Sequence, residues 1–304
     1  MNDNDKIGEL IITDPIEPHA YKGRMEIKRA VIQDGVKVLP DYAFAECRNL
    51  TEVILPASMQ ELGKHTFYNC RSLQKLSIPA GLLSVGDGAF KNCLSLWKLA
   101  FYGIKEDEDQ CVRKVLFDIE QEVELTLFYT EKEQTKTDQN TARLVMPQYD
   151  YQYVANEPAR IFSEISYGTG HYYRKCINTS KIEFDVYDNL FDRSARENTV
   201  RTVSEQCIAR LKFPYRLSEK AREQYTTYLF EHFDQVVTRL IQESAVKQES
   251  LEKLLWLGDF GVLNRERMPR AIEIAQEYQN TEVISWLMEY RSKHFQPAKK
   301  RFEL

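Results

Sequence analysis

The chain has no apolar run near the ~20 residues that a membrane-spanning helix requires, so no membrane partner is expected. It has no excess of basic charge either. Lysine and arginine number 41 against 46 aspartates and glutamates, a formal net charge of -5. That balance argues against a nucleic-acid binder, which leaves a basic footprint. Histidine is scarce: His19, His65, His171, His232 and His294 stand apart, with no HExxH, GxSxG or CxxC anywhere. Neither catalytic residues, a metal site nor a cofactor is expected from such scatter. The opening stretch MNDNDKIGELIITDPIEPH is acidic, with only Leu10, Ile11 and Ile12 as an apolar run. It does not read as a secretory signal, which makes the cytoplasm the simplest compartment. Cysteine is limited to Cys47, Cys70, Cys93, Cys111, Cys176 and Cys207. An even number permits a disulfide framework, but a chain of 304 residues with 43% hydrophobic content can bury a core without staples.

What the chain does have is a repeat. Phe44, Phe67 and Phe90 step by 23, as do Cys47, Cys70 and Cys93, and Leu50, Leu73 and Leu96. The units read AFAECRNLTEVILPASMQEL, TFYNCRSLQKLSIPAGLLSV and AFKNCLSLWKLAFYG. Carried backward, the register sets Ile27, Ala30, Ile32, Val36 and Leu39 against Leu50, Val53, Leu55, Met59 and Leu62. Roughly a dozen positions agree, well beyond chance.

Each unit has the make-up of a solenoid coil. Leu50, Val53 and Leu55, matched by Leu73, Leu76 and Ile78, begin a short strand. Pro56 and Pro79 end it, since proline cannot donate to a ladder. Met59 and Leu62, matched by Leu82 and Val85, turn inward, and the next Phe and Cys close the coil. One coil cannot bury its apolar side alone, whereas stacked coils share a continuous core. The recurring cysteine suits a tight apolar slot. Zinc binding would need its thiols to converge, and coils set them in a row.

The pattern AFxxCxxLxxIxIP resembles the BspA-like leucine-rich-repeat family over about residues 25–103. The resemblance implies a binding or adhesion module, often at cell surfaces and often with many more repeats. This chain reads as about three and a half coils with no export signal.

Strand alternation indicates which side chains face outward: Arg29 and Val31, Glu52 and Ile54, Lys75 and Ser77, Lys98 and Ala100. Such sheets are extended binding surfaces. A plain solvated face is the alternative.

Past the repeat the text changes. VRKVLFDI reads as helix or strand, VELTLFYT as a strand, and Thr130 to Thr141 as a loop or linker. The next stretch is rich in aromatics. Gly168-Thr169-Gly170 is predicted to be a hairpin turn, since a phosphate cradle would need GxxxxGK[ST] and a following helix. Tyr172 and Arg174, beside His171 and Tyr173, form the aromatic–arginine pairing common in protein interfaces.

From about Arg201 the spacing turns helical: Val203–Leu211, then one long amphipathic helix after Pro214 opened by Ser218 and Glu219, with apolar positions from Tyr225 to Leu240. SLEKLLWLGDF, RMPRAIEIAQEYQ and NTEVISWLMEYRSKHF give three more. AIEIAQEYQNTEVISWLMEY resembles the helical half of an ankyrin repeat without its TPLH turn, over about residues 250–292. QPAKKRFEL ends the chain as a basic tail.

The sequence therefore predicts an α+β protein: an N-terminal segment (1–24), a leucine-rich-repeat solenoid (25–104), a mixed β-rich connecting domain (105–200), a helical ankyrin-like domain (201–295) and the tail (296–304). The expected role is a non-enzymatic interaction scaffold or adaptor for a protein partner. Its binding residues are Arg29, Glu52, Ile54, Lys75, Ser77, Lys98, Tyr172 and Arg174. The alternatives are a surface adhesin of the same repeat family, or an enzyme with its site by the His171–Arg174 hairpin near Asp185 or Asp188.

Overall fold

The computed structural model describes residues 8–105, 110–116, 118–130, 140–156, 161–178 and 181–295. They form two compact units, one running through Asn198 and including Phe213–Ser218, the other made of Thr199–Lys212 and the chain from Glu219 onward.

In the first unit three successive coils each give a strand to both of two sheets. The larger sheet runs from β1 (Glu9–Ile12) to β2 (Arg29–Ile32), and the smaller begins with β3 (Val38–Leu39). The following coils add β4 (Glu52–Ile54) with β5 (Glu61–Leu62), then β6 (Lys75–Pro79) with β7 (Ser84–Val85). The larger sheet continues through β8 (Lys98–Ile104) and β9 (Val123–Tyr129), all in parallel, until β10 (Thr141–Met146) turns back antiparallel. Ala30, Val53, Leu76, Leu99 and Leu125 stand in one register row. All five are buried, which is why the strands alternate as they do.

The stacking starts earlier and ends later than the three and a half coils read from the sequence. β1 already pairs with β2, and His19–Gly23 forms the same turn as Tyr42–Glu46. That turn needs two left-handed residues per coil. The first is His19, Tyr42, His65 or Gly88, at φ of 63°, 58°, 53° and 66°. The second is Gly23, Glu46, Asn69 or Asn92, at 72°, 63°, 61° and 63°. Only glycine holds this conformation freely. The cost at the others is offset by backbone bonds to the next coil, such as Tyr42 N–H to Lys64 O at 2.9 Å and Glu46 N–H to Tyr68 O at 2.7 Å.

Inside the turn runs a stack of rings. Tyr21, Phe44, Phe67 and Phe90 lie 5.4, 5.5 and 5.6 Å apart, centroid to centroid. Beside it the repeated thiols each donate to the aromatic carbonyl one coil back: Cys47 to Tyr21 at 3.0 Å, Cys70 to Phe44 and Cys93 to Phe67 at 3.1 Å. Six buried free cysteines are present, and none is bonded to another.

The last coil has no successor, and other groups stand in for one. Asp118 accepts the Phe90 N–H at 3.4 Å, as Thr66 and Ala89 carbonyls do for earlier coils. Gln121 Nε2 donates to the carbonyls of Cys93 at 2.8 Å and Leu96 at 3.1 Å. The segment VRKVLFDI, open to either reading, provides a helix, α1 (Gln110–Leu116), which packs on β7 and sends Lys114 to the Leu83 carbonyl. Terminal coils of solenoids need such caps. The predicted loop at Thr130–Thr141 lies largely outside the described residues, and the basic tail lies wholly outside them.

β11 (Asp150–Asn156) and β12 (Ile161–Tyr167) pair antiparallel as a separate ribbon. Gly168-Thr169-Gly170 is therefore not a hairpin turn. It carries the chain from β12 into a short helix, α2 (Gly170–Arg174). Gly168 sits at φ 85° there, and a Cβ on Gly170 would come within 2.0 Å of the Pro147 carbonyl oxygen. Glycine at both ends reflects backbone conformation and close approach, which the sequence pattern alone did not separate from a turn. α3 (Phe184–Asn189) and α4 (Phe191–Glu197) complete the unit.

The second unit is helical: α5 (Val200–Lys212), α6 (Glu219–Glu231), α7 (Phe233–Ser244), α8 (Gln248–Asp259), α9 (Met268–Glu277) and α10 (Thr281–His294). The single long helix expected after Pro214 is two, broken at His232, whose ring stacks on Tyr228 at 3.9 Å. The three later helices fall where predicted. Asn280 caps α10 by accepting the Val283 N–H.

Candidate functional site: the outward face of the parallel sheet

Because the strands are in register, their outward side chains form rows across the coils. The first row is Glu9, Arg29, Glu52, Lys75, Lys98 and Glu124. The second is Ile11, Val31, Ile54, Ser77, Ala100 and Thr126. A third, shorter row joins Tyr102 and Phe128 to Pro79, which is buried. Alternation thus brings together Arg29, Glu52, Ile54, Lys75, Ser77 and Lys98, six of the eight sequence-predicted binding residues.

The charges of the first row are not equivalent. Arg29 bridges Glu9 and, at 2.8 Å, Glu52, so both carboxylates are spoken for. Glu124 is buried between Lys98 Nζ at 3.5 Å and Arg143 Nε at 3.4 Å. Arg143 also lies over the Phe213 ring at 4.2 Å, and Thr126 is buried, so the face is closed at β9 and β10. Lys98 additionally lies 5.2 Å from the Trp97 ring. Lys75, between these two clusters, is exposed and has no acidic partner among the described residues. Beyond the small side chains of Ser77 and Ala100, Tyr102 and Phe128 stack at 4.6 Å with planes 6° apart, and Tyr102 stays exposed. The sequence reading missed this aromatic pair. Tyr102 follows Lys98 and Ala100 by the same step of two, so the alternation that found those would have reached it.

Tyr172 and Arg174 lie elsewhere, on α2. Arg174 donates to four backbone carbonyls: Ile119 at 2.8 and 3.1 Å, Gln121 at 3.0 Å, Pro147 at 2.7 Å and Gly170 at 3.2 Å. Its guanidinium also covers the Tyr149 ring at 4.4 Å. Arg174 thereby ties the segment that caps the last coil to the end of β10. Tyr172 is exposed, with the Arg193 guanidinium 4.0 Å from its ring. Tyr173 is buried edge-on to Tyr187, whose hydroxyl donates to the Val145 carbonyl at 2.8 Å and accepts its N–H at 3.0 Å. His171 meets the rings of Tyr149 and Tyr172. Asp188 is buried on α3 and Asp185 is exposed there.

Burial pushes the thiols up, to about 11 for Cys47 and about 12 for Cys93, with Cys70 also raised by burial. They are packing groups rather than nucleophiles. Among the described residues no group of three or more His, Cys, Asp or Glu is placed to hold a metal ion, and no helix is long and apolar enough to cross a membrane.

Residues 14–115 match the family described as BspA type leucine rich repeat region, in six copies. This part of the chain is a BspA-type leucine-rich-repeat solenoid. A leucine rich cell surface protein from Faecalibacterium prausnitzii A2-165 is similar at 20% identity and TM-score 0.27, covering 32% of each chain. The leucine rich repeat protein of T. pallidum is similar at 19% identity and TM-score 0.25, over 31% of this chain and 58% of that one. A leucine-rich repeat protein from Bacteroides ovatus ATCC 8483 gives 25% identity and TM-score 0.22, over 32% and 30%. The chain thus spans from 30% to 58% of the length of these solved structures. No curated protein matches it.

Proposed function

We propose that the protein is a non-enzymatic interaction scaffold, and that the open sheet face holding Arg29, Glu52, Ile54, Lys75, Ser77 and Lys98 receives a protein partner. The observation carrying this reading is Lys75: an exposed cation, unpartnered among the described residues, at the centre of a face whose other charges are matched. A solvated face serving no partner would gain by pairing it, whereas a recognition face keeps a charge available. Rows repeated on rigid neighbouring strands also present several weak contacts at once. Six buried free thiols fit a reducing compartment, in keeping with the cytoplasm. The helical unit serves as a second interaction module in this reading. Tyr172 is a subsidiary contact, and Arg174 acts by positioning.

The test is affinity capture with the full chain as bait and mass spectrometry as the readout. Lys75→Glu, and separately Ile54→Arg, should keep the fold and lose the partner that wild type recovers. Equal recovery by folded variants removes the sheet face from consideration and shifts attention to Tyr172.

A further inference from the structure

Resting on that reading, the make-up of the face goes further and specifies its ligand. We infer that the face binds an extended acidic peptide, with a carboxylate side chain at Lys75 and a large apolar side chain, four residues along, on the Tyr102–Phe128 shelf.

The charge comes first. Lys75 and Lys98 are direct neighbours in register across β6 and β8. Like charges placed opposite one another destabilise a sheet. Lys98 leans toward Glu124, whereas Lys75 makes no ion pair among the described residues, its register neighbour Glu52 being held by Arg29. Arg29 on one side is neutralised by Glu9 and Glu52, and Arg143 on the other faces Glu124. The net field at the centre is therefore positive and confined to one position.

The anion is a carboxylate rather than a phosphate. A phosphate would be held by an arginine fork or by converging backbone N–H groups. Here the receiving group is one ammonium, with the carboxylate of Glu52 beside it on the neighbouring strand β4. A single negative charge suits that setting, and a double one would be repelled.

The relief sets the length. Along β8 the outward residues run Lys98, Ala100, Tyr102, and along β6 Lys75 and Ser77. A long cation, a low saddle of small residues and an aromatic shelf follow one another at two residues per step. At ~3.3 Å per residue, four residues span ~13 Å. A peptide strand running from Lys75 on β6 toward Tyr102 on β8 sets its own side chains four residues apart at about that spacing.

A random peptide library selected on the full chain tests the inference. Enriched sequences should carry Asp or Glu four positions from an aromatic or large aliphatic residue. A labelled synthetic copy, followed by fluorescence anisotropy, should bind about tenfold more weakly to Lys75→Glu and to Tyr102→Ala. It should also weaken with added salt. Replacing its acid by lysine should restore binding to Lys75→Glu, a readout that a loss of folding cannot mimic. Enriched peptides without an acid, yet lost on Ile54→Arg, overturn the acidic inference and leave the sheet-face reading standing. Binding indifferent to Lys75→Glu, Tyr102→Ala and Ile54→Arg, or no enrichment at all, overturns the inference, and indifference to all three removes the face as well.

Discussion

In the coils a buried group finds its partner one step away in the repeat; in the helical unit partners come from scattered places. Phe67 has Phe44 and Phe90 on its two faces, and the Cys70 thiol meets the Phe44 carbonyl, just as Cys93 meets Phe67. Glu205 of α5, by contrast, is held by Arg239 of α7 and Lys253 of α8, each at 2.7 Å. Arg239 also donates to Ser204, and Glu243 accepts from Ser250. The coil interactions are redundant copies of one nearest-neighbour contact. The helical network exists once, and each member is needed by the others. Solenoid stability is accordingly a sum over coils, while a buried ionic network gains or loses as a whole.

The largest effect should come from interrupting the ring stack. Phe67→Ala empties a fully buried site between two aromatic neighbours and should cost ~3–5 kcal/mol. Trp97 lies in the coils, and Trp256 and Trp286 lie in the helices. Variants keeping one or the other set therefore report each unit's urea transition separately. The Trp97 transition should move and the helical one should stay. A shift confined to the helical reporters would mean the coils do not depend on the stack.

Next should come Glu205→Gln, which leaves two largely buried cations short of a countercharge, at roughly 3 kcal/mol. Burial favours the protonated acid at Glu205, but the charges of Lys253 and Arg239 outweigh it and hold the carboxyl below its usual range. A pKa lower when folded than when unfolded means this stabilisation is complete above the ordinary Glu value of ~4.3 and is lost as pH falls below it. The helical reporters should therefore show acid lability in wild type, and Glu205→Gln should flatten it.

Asp118 should respond to pH with the opposite sign. Burial raises its pKa, with the Phe90 N–H bond working against that. Its ionised form is penalised in the fold, so the contribution is fullest below ~3.9 and diminishes as pH rises. Asp118→Ala removes the acceptor of the last coil's N–H and should cost ~1–2 kcal/mol. Asp118→Asn keeps an acceptor without the charge and should be close to neutral at pH 7. If both variants melt alike on the Trp97 reporter, the cap does not act through that bond.

These contrasts also explain what the sequence made readable. A period of 23 exposes every contact that recurs, which is why the core rows, the thiol row and the outward ladder could be placed from residues alone. The coil at His19–Gly23 escaped because Tyr21 replaces Phe and Arg24 replaces Cys, although the step is unchanged. The cap escaped for a deeper reason. Asp118 and Gln121 imitate a following coil without repeating its residues, and Arg174 reaches the carbonyl of Ile119 across 55 positions. The helical break at His232 was hidden because apolar spacing runs through it from Tyr228 and Leu229 to Phe233 and Val236, with neither proline nor glycine to mark it.

Cys70→Ser should be milder than the ring and ion substitutions. The hydroxyl can still donate to Phe44, so the expected cost is about 1 kcal/mol, from polarity placed in an apolar slot. In the native protein Cys47 and Cys93, raised to about 11 and about 12 by burial, should resist a thiol reagent until the coils unfold. Rapid native labelling would contradict their packing role.

The smallest stability effect should fall at Lys75, which separates the coils' interior from their face. Deleting its charge with Lys75→Ala breaks no ion pair among the described residues and relieves the confrontation with Lys98 across the strands. Exposed substitutions of this kind shift stability by within ~0.5 kcal/mol, and the relieved repulsion should make the sign slightly stabilising. The measurement is the Trp97 urea midpoint at low and at high salt. Wild type should gain on Lys75→Ala as salt rises, because screening removes the repulsion the variant lacks. A variant clearly less stable than wild type at low salt would show that Lys75 is already paired within the fold. It would then no longer be a charge held ready for a partner.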